Sequence, residues 1–73
     1  MATYRLGSSP IIATPGIIAW AINGYAFEAD RPNILNVITT GFPSVPADAI
    51  EQLLSEKVPF TVEGETVVFS VED

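Results

Sequence analysis

The sequence predicts a small α+β domain, with short helices packed on a C-terminal antiparallel β-hairpin and an N-terminal edge strand beside it. Three observations lead there. Residues 46–57 carry apolar side chains at helical spacing, and residues 58–62 and 66–71 are β-rich runs on either side of Glu63-Gly64-Glu65. The composition is 48% hydrophobic, which is enough to furnish a core. A chain of 73 residues is expected to form one compact domain over residues 1–73, with a radius of gyration of about 11 Å. At that size only about 60–65% of the unfolded surface can be hidden, so stability depends on good packing or on a partner.

Taken in order, Ala2–Leu6 alternates Tyr4 and Leu6 with Thr3 and Arg5 and reads as a short edge strand, followed by a turn at Gly7-Ser8-Ser9-Pro10. Residues 6–27 contain no charge, and a bilayer core needs about 20 residues of helix. Gly7, Pro10, Pro15 and Gly24 interrupt the run, and basic flanks are missing, so it is expected to be core and not a membrane span. Within it, residues 14–24 resemble a capped helix, with Thr14 as N-cap, Pro15 first and Asn23-Gly24 as the exit. The competing reading, drawn from the isoleucines, is two strands at residues 11–14 and 16–22. The end signals favour helix, although residues 10–40 remain open between helix and strand.

Residues 25–30 are expected to be extended or irregular, with Asp30 capping a second helix from Arg31 to Thr39 or Thr40. Ile34, Leu35 and Ile38 form its buried stripe and Gly41 its end, and Glu28 and Asp30 offer Arg31 a local partner. In the third helix, Ala47, Ile50, Leu53 and Leu54 line one stripe; Asp48, Glu51, Gln52, Ser55 and Glu56 lie away from it, and Ser44 is the candidate cap. For the hairpin, a Glu63-Gly64 loop would set Phe60 opposite Val67, Val58 opposite Phe69 and Thr61 opposite Thr66. That register gathers the large side chains beneath the third helix.

The chemistry is bounded by what is missing. With no cysteine and no histidine, disulfides, thiolate catalysis, imidazole bases and cysteine- or histidine-ligated metals are excluded. The pairs Glu28/Asp30 and Glu63/Glu65 are the only acid–base candidates, and both read better as solvated turn or cap residues. The serines have no base, and no phosphate loop, calcium loop or dinucleotide fingerprint occurs. A non-enzyme without cofactor or metal is expected. No basic segment precedes an apolar core and cleavage site, so a cytoplasmic location is expected.

Nine acidic residues against Arg5, Arg31 and Lys57 give a net charge of −6. That field repels nucleic acid and anionic membranes and suits a basic, nucleic-acid-binding protein. The functional reading is therefore a protein-binding module that modulates or inhibits its partner. Asp48, Glu51 and Glu56 would make the electrostatic contact, and Trp20 or Tyr25 would serve as aromatic anchor. The alternative is a structural or assembly subunit of a homo- or hetero-oligomer, with residues 66–71 offering an exposed strand edge. In size, acidity and lack of catalytic residues the chain resembles small phage-encoded proteins that inhibit host enzymes or defence complexes, including anti-CRISPR and anti-restriction proteins. The likeness covers no motif and implies a viral inhibitor without locating its site.

Overall fold

The computed structural model describes residues 1–7 and 14–72. In order these form β1 (Ala2–Leu6), α1 (Thr14–Tyr25), a 3₁₀ turn at Glu28–Asp30, α2 (Arg31–Gly41), α3 (Ala47–Leu54), β2 (Phe60–Glu63) and β3 (Thr66–Val71). The α+β class is as expected, and the radius of gyration is 11.2 Å. The strand order is β1-β3-β2, antiparallel throughout. The last strand is therefore central, and the free edge expected at residues 66–71 is closed by β1. In the described residues, the sheet edges are β1 and β2.

Helix wins over strand in α1. Thr14, Ile18, Ala21 and Tyr25 are buried at spacings of three and four, so one stripe faces inward despite the β-branched content. Residues 8–13, on which the expected turn and most of the first alternative strand fall, lie outside the described residues. Thr14 falls inside the helix, and its hydroxyl donates to the Gly7 carbonyl at 2.6 Å. This bond ties the start of α1 to the end of β1. Gly24 is also helical, and the end of the Ile34 side chain occupies the space where a Cβ would stand, so a larger residue there would require Ile34 to move.

Residues 28–30 wind into the 3₁₀ turn, where extended or irregular chain was expected. Asp30 stands at the N-cap of α2 without a side-chain capping bond. Arg31 turns back to α1 and not to its acidic neighbours: its Nε donates to the Tyr25 carbonyl at 2.8 Å, and its guanidinium carbon lies 5.5 Å from the Tyr25 ring centroid. A cation at the carboxyl end of a helix satisfies both an orphan carbonyl and the dipole. α2 buries Ile34 and Ile38 and ends on the Phe42 amide, which donates to Ile38 at 3.0 Å.

α3 is shorter than expected. Pro46, not Ser44, is its N-cap, and the Pro46 carbonyl accepts from the amides of Ala49 and Ile50 at 3.1 and 3.2 Å. Ala49, Ile50, Leu53 and Leu54 are buried, while Ala47 is exposed in the first turn.

The hairpin pairs Phe60 with Phe69, Thr61 with Val68, Val62 with Val67 and Glu63 with Thr66. The loop is thus Gly64-Glu65, with Gly64 at φ 67°. Glycine comes first in the loop, as in a type II′ turn, and that need displaces the pairing by two residues from the expected one. An even displacement keeps every side chain on its face. The inner face therefore still holds Phe60, Val62, Val67, Phe69 and Val71, joined from β1 by Ala2, Tyr4 and Leu6. The Tyr4 and Phe69 rings lie 5.7 Å apart. On the outer face the hydroxyls of Thr3 and Ser70 are hydrogen-bonded at 2.8 Å.

The helices pack on this inner face unevenly. α1 and α3 contact β3, and Leu6, Val67 and Phe69 join Ile18, Ile50 and Leu53 in one buried cluster. Phe60 and Val62 share that face yet remain 36% and 50% exposed, and every residue of β2 is exposed. The expected closure of α3 over Val67 and Phe69 therefore occurs, but it stops short of Phe60. No helix among the described residues is long and apolar enough to cross a membrane.

Candidate functional site

The end of α3 is where local structure departs from what its residues prefer. The Lys57 amide donates to Gln52 at 2.9 Å and the Glu56 amide to Leu53 at 3.2 Å, the paired bonds of a Schellman exit. The exit requires a left-handed residue, and Glu56 occupies that place at φ 61°. Glycine fills it without cost, whereas a residue with a Cβ loses about 1 kcal/mol there. The backbone at Glu56 is thus fixed by the helix exit, and the residue stands at the rim of a groove.

That groove, of about 420 Å³, is lined by Ile22, Leu53, Glu56, Lys57, Val58, Pro59 and Phe60. It runs where β2 projects beyond the helices, so part of its wall is the uncovered inner face of the sheet. A second cleft of about 410 Å³, almost wholly apolar, is lined by Gly16, Ile17, Trp20 and Val37 on α1 and α2. Trp20 is 53% exposed and Val37 45%.

The sequence-derived site residues separate into three places. Asp48 and Glu51 are exposed and three residues apart on α3, and Glu56 follows at its exit. Among the described residues, none of these three carboxylates has a cationic partner. Trp20 borders the apolar cleft, apart from that acidic stripe in the fold. Tyr25 is buried, its ring facing core on one side and Arg31 on the other. The two aromatics are thus five positions apart on one helix with opposite exposure. Of the turn acids, Glu63 reaches Arg5 at 3.8 Å on the outer face of the sheet, with both side chains more than half exposed.

Reasoning from sequence missed the β2 groove. One signal for it was present: a helix exit spelled Ser55-Glu56-Lys57 without glycine, followed directly by Val58-Pro59-Phe60. Comparison with known proteins adds nothing to this geometry: no family model, curated protein or solved structure matches the chain.

Proposed function

We propose that this protein is a binding module that docks on a basic surface of another protein and modulates or inhibits it. The observation that carries the reading is the line of unpaired carboxylates at Asp48, Glu51 and Glu56, exposed along α3 and its strained exit, on a chain of net charge −6. Among the described residues these carboxylates form no ion pair and so stay available to an incoming lysine or arginine, and the net field steers encounter with a positive partner. A surface that normally holds nucleic acid has that complementary charge, so a nucleic-acid-binding protein is the partner class this chemistry fits.

The test is affinity capture from cell lysate with the full chain, followed by mass spectrometry of what is retained. A basic protein should be held at low salt, released by high salt, and bound at least about tenfold more weakly after joint reversal of Glu51 and Glu56 to lysine. Retention of the same protein, indifferent to salt and to the reversals, overturns the acidic-face reading.

The Trp20 cleft favours a second reading, an assembly subunit. An apolar recess lined by Ile17, Trp20 and Val37 is the kind of surface that oligomers cover. On that reading the chain sediments as a concentration-dependent oligomer, insensitive to salt, that Trp20→Ser dissociates.

A further inference from the structure

We propose that the edge of β2, free among the described residues, accepts an extended segment of the partner as an added antiparallel strand, one that alternates aliphatic with basic residues. The inference rests on the binding-module reading and specifies a second contact for it, on a different element from Asp48 and Glu51.

The backbone supplies the first argument. Glu63 and Thr66 close a two-residue loop, so they form a hydrogen-bonded pair, and antiparallel alternation makes Thr61–Val68 the next one. The amide and carbonyl of both Phe60 and Val62 therefore point away from β3, at the free edge. Pro59 falls on the inward-pointing register by the same alternation, so its missing donor takes nothing from that edge.

The side chains supply the second. Residues of an added strand that lie opposite Phe60 and Val62 are the ones that bond to them, and their side chains fall on the same inner face. Aliphatic groups there would cover the exposed Phe60 and Val62 and extend over the groove against Ile22 and Leu53. Intervening residues would point to the outer face, where β2 presents Thr61 and Glu63, with Glu65 in the adjoining turn.

Charge selects the occupant. A second copy would bring another net −6 to an edge already bordered by Glu56, Glu63 and Glu65, set against Lys57 and against Arg5, which pairs with Glu63. A segment with lysine or arginine at the outer positions is complementary to that border, and the aliphatic positions match the inner face.

The experiment uses the isotope-labelled full chain and three short capped peptides: alternating lysine and valine, the same peptide N-methylated at its valines, and alternating glutamate and valine. The lysine–valine peptide should shift the Phe60 and Val62 amide signals and slow their hydrogen exchange by at least about tenfold. The N-methylated and glutamate peptides should do neither. Val62→Pro should weaken binding by at least about tenfold while the Val67 and Phe69 signals stay in place. If that variant fails to fold, the N-methylated peptide on the unaltered protein decides.

Equal binding of the N-methylated peptide, or shifts gathered on Asp48 and Glu51, overturns strand addition while leaving the acidic-face reading intact. A dimer that already protects the Phe60 and Val62 amides without peptide also overturns it, in favour of a second copy. Loss of the proposed partner on joint reversal of Asp48 and Glu51, with peptide addition at β2 unchanged, supports this inference and separates the two contacts.

Discussion

β1 and β2 flank the same central strand with the same antiparallel geometry, yet one is part of the core and the other hangs beyond it. On β1, Leu6 is fully buried and Tyr4 is half-buried, its ring tilted against that of Phe69. On β2, Phe60 and Val62 occupy equivalent inner-face positions and stay exposed. The sheet ladder is thus shared equally, while the hydrophobic contribution falls almost wholly on one side. An edge that contributes little to folding is available for binding, since changing it need not unfold the domain.

The largest expected effect breaks the comparison outright. Leu6→Ala should cost about 2–5 kcal/mol in urea unfolding, because it empties a closed site, whereas Val62→Thr should stay within about 0.5 kcal/mol. Equal costs would show that β2 is covered in solution. Smaller, but still on the β1 side, Thr14→Val removes the hydroxyl that holds the Gly7 carbonyl at 2.6 Å and should cost about 1 kcal/mol in the same assay.

On the β2 side the sign reverses. Glu56→Gly should stabilise the fold by about 0.5–1 kcal/mol by relieving the left-handed glutamate, while Glu56→Ala should show no comparable gain. Loss of partner binding in the stabilised glycine variant would show what the strain is for. The smallest effect joins the two edges: Arg5→Gln removes an exposed ion pair at 3.8 Å and should change stability by less than about 0.5 kcal/mol, vanishing in high salt. A larger change would mean that the outer face binds the edges together more than the core does.

Several features were legible because they are written locally. The α3 stripe and the existence of the hairpin are direct, while α2 is favoured by Asp30 and Pro32 at its start, an Ile34–Ile38 stripe and Gly41 at its end, with a strand reading left open. The caps were less legible. Thr14, Asp30 and Ser44 all have capping side chains, but a neighbour's carbonyl claimed the first, no side-chain bond formed at the second, and Pro46 displaced the third. Of the candidate site, the exposure of Asp48, Glu51 and Glu56 followed from helical periodicity. The difference between Trp20 and Tyr25 did not, because nearly every neighbour on α1 is apolar and its pattern carries no direction.

While it left residues 10–40 open between helix and strand, the sequence by itself determined that α3 is helical, that residues 60–71 fold back on a glycine turn, and that the net charge is strongly acidic. These are consequences of spacing, turn stereochemistry and composition within a few residues. Only the tertiary structure decided that β1 joins the far side of β3, that the helices cover β1 and β3 while leaving β2 open, and that Tyr25 turns inward while Trp20 faces out. Those outcomes depend on which distant surfaces exclude water together, and hydrophobic burial has no direction until the partners across the core are in place.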